Sequence, residues 1–272
     1  MAWTETSRRE YRRSGRKYET DLSEAEWQLI VGFLPAPRRL GRPRSTDLRK
    51  VVEAIFYMLG SGCQWRMLPK DFPPYSTVQR FFYRWREEGL WRQVQHALVM
   101  AAREAEGREA SPTAGVIDSQ SVKTTEAGGP RGYAGKKVKG RKRQLLTDTI
   151  GLPIASRVHE AGIQDRDGAP PLLASIRRLH PWLRHLFADG GYAGQKLRTA
   201  LREIGNWTVQ IVKRSDQAQG FELLPRRWVV ERTFAWLGRN RRLAKDYEAS
   251  IPGSECWLCL AAVKLLTRRL AA

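Results

Sequence analysis

The chain has 272 residues, with 48 Lys and Arg against 28 Asp and Glu, a formal charge of +20. Its 42% apolar and 10% aromatic content is enough for a buried core and excludes wholesale disorder, while three Cys exclude a disulfide framework. No run reaches the ~18 apolar residues of a membrane span, and Arg8, Arg9, Arg12, Arg13 and Arg16 have no apolar segment behind them, so neither insertion nor a signal peptide is expected.

An excess of positive charge on this scale calls for a polyanionic partner, nucleic acid first. Residues 1–20 read as a basic arm. Ser23 and Glu26 form a capping box ahead of Trp27, Ile30 and Val31, which predicts a helix over 23–33 closed by Pro35 and Pro37. Residues 38–44 are a basic connector; Arg42 and Arg44 are candidate DNA contacts there, in a minor-groove hook or in a linker touching only phosphates. Val51, Ala54, Ile55 and Met58 share one face of a helix over 46–59, stopped by Gly60 and Gly62. Ser76 with Gln79 opens a third helix carrying Val78, Phe81, Phe82 and Trp85, and Arg80, Arg84 and Arg86 are its candidate DNA-reading side chains. Leu90, Trp91, Val94 and Leu98 continue the pattern beyond Gly89. Residues 21–103 thus read as an all-α, helix-turn-helix-like domain, and 104–113 as a linker.

Residues 114–272 hold +14 of the charge and change pattern. Strands are predicted at 115–118, 144–150 and 154–158, the last two around a Gly151-Leu152-Pro153 turn. A helix at 168–179, a strand at 186–189, a helix at 195–204, a strand at 207–212 and helices at 226–242 and 256–270 follow, giving a mixed α/β domain.

Two of the strands end in an acid, Asp118 and Asp189, and a third acid, Glu231, sits inside the helix at 226–242 beside its apolar stripe of Val230, Phe234 and Leu237. Three acids gathered in so basic a domain repel one another unless a cation holds them, and oxygen-only ligands favour Mg²⁺ or Mn²⁺ over zinc. Glu231 can instead simply pair with Arg227 at i−4. Asp148, Glu160, Asp165 and Asp167 are rival acids, the last two better read as caps of the following helix. His159 reads as structural, and Cys256 with Cys259 as core packing rather than a zinc site. Between the first strand and the hairpin, residues 131–143 carry seven basic side chains in thirteen and no acid. Lys136, Lys137, Lys139, Arg141, Lys142 and Arg143 read there as a phosphate-binding loop.

The strings V-I-D-S-Q-S-V-K-T, F-A-D-G-G-Y-A-G and R-W-V-V-E-R-T-F-A-W-L, in that order, resemble the three acidic motifs of bacterial insertion-sequence DDE transposases. The resemblance implies an RNase H-like mixed five-stranded sheet flanked by helices, preceded by the helical domain. It implies that Asp118, Asp189 and Glu231 bind two divalent ions, Mg²⁺ with Mn²⁺ as a substitute; Arg227, Arg232 and Arg239 on the basic helix are then candidates to clamp phosphates beside the cut. It further implies cleavage of double-stranded DNA at terminal inverted repeats, joining to target DNA, a homodimer or larger multimer on DNA, and a cytoplasmic, nucleoid-associated protein. Leu224 stands where the family often has Tyr and Gly238 where it often has Lys, departures that touch DNA-end contacts rather than the acids. Only 19 residues separate Val212 from Arg232, so no large insertion domain precedes the glutamate. A nuclease that only hydrolyses DNA and a non-catalytic DNA-binding repressor are the alternatives.

Overall fold

In the computed structural model, residues 16–36, 44–135, 138–212 and 225–272 are described. Arg42, Lys136, Lys137 and Leu224 lie outside them. Helix α1 (Glu24–Val31) has the expected capping box: Ser23 Oγ accepts from Glu26 N and Glu26 Oε2 accepts from Ser23 N. Helix α2 (Leu48–Ser61) starts later than Thr46 because the Asp47 carboxylate caps it, and it runs through Gly60 to end at Gly62 in the left-handed region (φ 71°). Helix α3 (Tyr75–Glu87) begins after Pro74 with no side-chain cap, so the expected Ser76 cap is absent. Gly89 (φ 67°) then breaks the chain direction, and α4 (Leu90–Ala105) is a separate helix rather than a continuation.

The sheet comprises β1 (Ala114–Lys123), β2 (Gly132–Tyr133), β3 (Lys139–Asp148), β4 (Pro153–Glu160), β5 (His185–Ala188) and β6 (Thr208–Ile211). Strand β3 pairs antiparallel with β4 and with β1, and β5 and β6 add in parallel on the far side of β1. The two-residue β2 pairs with the start of β3 on the β4 side. Apart from that short ribbon, the order β4-β3-β1-β5-β6, with the first three antiparallel, is an RNase H-like sheet.

Strand β3 starts five residues before the predicted strand at 144–150, so the second half of the basic run is sheet interior and not loop. Gly140 is required at its first turnings: a Cβ there would collide with the Val122 carbonyl across the ladder. Helix α5 (Asp165–Ile176) also starts early, after Gln164, whose side chain makes no cap hydrogen bond; Asp165 and Asp167 lie in its first turn, where the helix dipole favours acids, rather than at the cap position. Helix α6 (Gln195–Gly205) follows β5, and α7 (Pro225–Gly238) ends four residues short of Arg242, which belongs to a separate turn at Arg241–Leu243.

Helix α8 (Ile251–Leu270) begins five residues ahead of Cys256, started by the Ser250 cap and Pro252. It is apolar nearly all round because it lies between the N-terminal helices and the sheet, touching α2, α3, α4, α7 and β4. Trp257 stacks on Phe82 with ring centroids 4.6 Å apart, and Cys256 and Cys259 are buried in this packing as expected. One hydrophobic core therefore runs from Ile30 and Phe82 through α8 to Leu146 and Leu186, across the segment read as a linker.

Candidate active site

Strands β1 and β5 pair in parallel through Val116 and Phe187. Two residues further along each chain stand Asp118 and Asp189, so strand alternation turns both side chains to the same face at neighbouring positions. Strand β1 does not end at Asp118; it continues to Lys123 along β3, with Asp118 opposite Leu145. Asp189 directly follows β5, and its Oδ1 accepts from Gly191 N at 2.8 Å, which caps the Gly190–Tyr192 turn.

Helix α7 packs across β1, β3 and β5 through buried Val230, Phe234 and Leu237. Its rotation is locked to the β3–β4 turn: Thr233 Oγ1 donates to Gly151 O at 2.9 Å and Arg232 Nη2 to Ile150 O at 2.9 Å. Glu231 is thereby held at the edge of the buried face, its Oε1 accepting from Arg227 Nη2 at 3.2 Å.

The three acids share one electrostatic environment. Burial, with the charges of Asp189 and Glu231 behind it, pushes the Asp118 carboxyl up to about 7, against the pull of the Ser119 N–H and of Arg227. A carboxylate that costs this much to ionise alone, among oxygen-only donors, is chemically suited to a divalent cation. Among the described residues no three Asp, Glu, His or Cys side chains stand close enough to hold one ion as placed. Glu231 points to Arg227 instead.

A fourth acid belongs to this neighbourhood. Asp165 Oδ1 accepts from Ser119 Oγ at 2.5 Å and pairs with Lys142 Nζ at 2.9 Å. A methyl placed on Gly191 would sit 3.0 Å from Asp165 Oδ2 and 3.1 Å from Asp189 Oδ1, so both oxygens crowd the same turn. Tyr192 is fully buried, and burial together with Asp118, Asp165 and Asp189 pushes its hydroxyl well above the usual tyrosine range, against the pull of Ser119. From its sequence position Asp165 reads as a cap of the following helix, and Ser119 and Tyr192 do not stand out. Their signal was adjacency, to Asp118 in one case and to the Gly-Gly turn in the other.

Asp148 and Asp167 have structural partners. Asp148 is fully buried, pairs with Arg103 at 2.5 Å and accepts from Ile150 N and Leu152 N. Asp167 pairs with Lys196 at 2.7 Å, and His159 Nδ1 lies 2.8 Å from Glu160 O.

The basic run divides in two. Arg141 has no exposed surface and is bound by Asp246 (3.1 Å), Ser254 and the carbonyls of Pro130, Glu248 and Ala249. Arg143 is buried, donating to Leu243 O and Lys245 O, and Lys142 is spent on Asp165 and Ile163 O. These three do not form a phosphate-binding loop; they tie β3 to the segment before α8 and to α5. Lys139 remains exposed beside Tyr133. Arg80 and Arg84 are exposed one turn apart on α3, Arg84 lying 4.7 Å over Phe81, while Arg44 donates to Pro35 O at 2.9 Å. Arg239 is exposed, whereas Arg232 is held by Ile150 and stacks 4.7 Å from Trp236.

Residues 109–263 match the family described as "Transposase DDE domain", and residues 22–95 match "Putative transposase of IS4/5 family". The first match covers more than half of the chain: the chain belongs to the DDE transposases, a family that generally uses divalent metal ions. It is 37% identical over 116 residues to the "Putative transposase for insertion sequence element IS402" of Burkholderia cepacia, covering 40% of this chain and 54% of that protein. It is 35% identical over 85 residues to the "Uncharacterized protein y4sN" of Sinorhizobium fredii, covering 31% and 66% respectively. The chain thus spans about half to two thirds of the length of these curated relatives. Among the described residues no helix is long and apolar enough to cross a membrane.

Proposed function

We propose that this protein cuts double-stranded DNA at insertion-sequence ends and joins the freed 3′ hydroxyls to target DNA, acting as a homodimer or larger multimer. The observation that carries the reading is Asp118 on β1 beside Asp189 just past the end of β5, two residues beyond the paired Val116 and Phe187, with Glu231 inside their electrostatic field. Asp118 would hold both of two divalent ions, Asp189 one and Glu231 the other, Glu231 turning away from Arg227 to do so. Bound Mg²⁺ or Mn²⁺ supplies activation of the attacking oxygen and neutralisation of the leaving one.

The chain's own residues bind and orient the strand. Arg227, released from Glu231, and Arg239 meet phosphates beside the cut, while Arg232 keeps α7 fixed on the β3–β4 turn. Arg42, Arg44, Arg80, Arg84, Lys136, Lys137 and Lys139 contribute duplex affinity, which falls with salt as counterions are released. Water attacks the scissile phosphorus first and frees the 3′ oxygen. That hydroxyl then attacks the target phosphodiester, expelling a target 3′ oxygen, so each step exchanges one P–O bond for another.

The test mixes the purified full chain, Mg²⁺, a duplex carrying the element's end and a supercoiled target plasmid. Covalently joined donor–target products are expected. Hydrolysis without joining supports a nuclease, and binding without cleavage supports a repressor; either result overturns the proposal.

A further inference from the structure

We infer that a second ligand site lies away from the acids: the cavity between the end of α7, the C-terminal half of α8 and the β3–β4 turn accepts a nucleoside phosphate, with the phosphate on Arg239 and Lys264 and the base against Trp236. The cavity is about 530 Å³. That is within the size range of small-molecule sites and far larger than a phosphate needs.

Its lining is divided as such a ligand requires. Arg239, Lys264, Arg268 and Arg269 line it, and among the described residues no carboxylate does. Two of these cations are already matched, Arg268 by the Glu19 carbonyl at 2.7 Å and Arg269 by Glu106 at 2.6 Å. The other two are not. Among the described residues Arg239 has no side-chain partner, and Lys264 Nζ is bonded only to the neutral Asn240 Oδ1, at 3.2 Å. Lys264 is largely removed from water, which pulls its ammonium down to about 8. A cation desolvated without a carboxylate in contact is a group that an incoming anion would stabilise.

The remaining wall is apolar, formed by Leu152, Leu265, Leu266 and the Trp236 ring, with Arg232 stacked against that ring. A free inorganic anion would leave that wall unused. A planar base joined to a phosphate fills both halves, and aromatic stacking is tolerant of base identity. The base could arrive on a free nucleotide or on an unpaired nucleotide of a strand. The site shares Arg239 with the strand contacts proposed above but includes none of Asp118, Asp189 and Glu231, so dAMP binding in EDTA and its dependence on Trp236 and Lys264 test it separately from the strand chemistry.

Calorimetric titration of the full chain in EDTA, where no metal-dependent cleavage runs, tests it with dAMP, inorganic phosphate, deoxyadenosine and a 5′-phosphorylated thymidine tetranucleotide. The expectation is that dAMP binds at least tenfold tighter than phosphate or deoxyadenosine. Arg239→Ala and Lys264→Gln should each weaken dAMP about tenfold, the scale of a lost charge-assisted hydrogen bond. Trp236→Leu should weaken dAMP and leave phosphate unchanged. A tetranucleotide that binds tighter than dAMP and weakens with the same substitutions identifies a strand as the source; a tetranucleotide indifferent to them identifies the free nucleotide. Arg239 is exposed, so Arg239→Ala is readable even if Lys264→Gln does not fold. No dAMP binding at millimolar concentration, phosphate binding equal to dAMP, or unchanged affinity in Arg239→Ala overturns the site.

Discussion

The hydroxyl of Ser119 donates to Asp165 Oδ1 at 2.5 Å, joining the residue beside Asp118 to a carboxylate on the first turn of α5. Lys142 approaches the same oxygen, and the other oxygen faces the Gly191 turn that carries Asp189. Asp165 therefore braces both aspartates from behind. Asp165→Asn is expected to lower cleavage of end DNA at subsaturating Mg²⁺ and to raise the Mg²⁺ concentration for half-maximal rate about tenfold, the usual effect of removing a group that orients a ligand. Saturating Mg²⁺ should restore most of the rate. A Mg²⁺ dependence identical to wild type would leave Asp165 a mere helix-end acid.

Asp118 is held at a cost in the metal-free protein, because burial and two neighbouring acids oppose its ionisation. Asp118→Asn removes the buried charge at nearly the same volume. At pH 8 without divalent ions the variant should melt higher than wild type, by about 5 °C if the gain is about 2 kcal/mol. Mg²⁺ should raise the wild-type Tm and leave the variant's unchanged. Thermal melts with and without Mg²⁺ check both halves.

Lys139 and Arg141 are two residues apart and should behave oppositely. Lys139 is exposed on β3, and its replacement by Ala should weaken DNA binding and shallow its salt dependence with no change in Tm. Arg141 is enclosed with Asp246, and removing one partner of a buried pair costs about 3–5 kcal/mol. Arg141→Ala should lower the Tm sharply or prevent folding. Paired melts and salt titrations of the two variants would expose a surface role for Arg141 if its fold survived.

His180 Nε2 lies 3.3 Å from His96 Nδ1 where α4 meets the end of α5, and burial, then His96 and Arg103, pull His180 down to about 4. Its folded value lies below the ordinary 6.5, so the neutral ring is the one that folding favours. The stability it contributes is full above pH 6.5 and is lost as pH falls toward 4. At pH 5 the loss is about 2 kcal/mol, or about 5 °C in Tm. His180→Gln should flatten the Tm curve between pH 7 and pH 5; an unchanged slope would place the acid sensitivity elsewhere.

The positions of Asp118 and Asp189 beside buried strands, and of Glu231 on α7, were legible in the sequence because a buried strand followed by Asp is a local pattern and because α7 displays Val230, Phe234 and Leu237 at regular spacing beside Glu231. The Ser23 cap and the strand-by-strand order were legible for the same reason. Arg141, Lys142 and Arg143 do not belong to a solvated loop because their partners are remote: Arg141 meets Asp246, and Arg143 meets Leu243 O, about 100 residues on. A charge run in isolation reads as a solvated loop, and only tertiary pairing makes half of it a buried strand. The bridge that Asp165 makes was not legible for the same reason, since its contacts to Ser119 and Lys142 reach α5 from two strands. Ser250 and Pro252 did mark the start of α8, but the apolar run from Cys256 is the louder signal.

The most direct measurement is Mg²⁺-dependent cleavage of a duplex carrying the element's end by wild type, Asp118→Ala, Asp189→Ala and Glu231→Ala, each first shown to bind that duplex with wild-type affinity. Loss of cleavage in all three, with binding retained, is the predicted result. Cleavage by purified Asp189→Ala at the wild-type rate would contradict the claim that these acids form one catalytic centre.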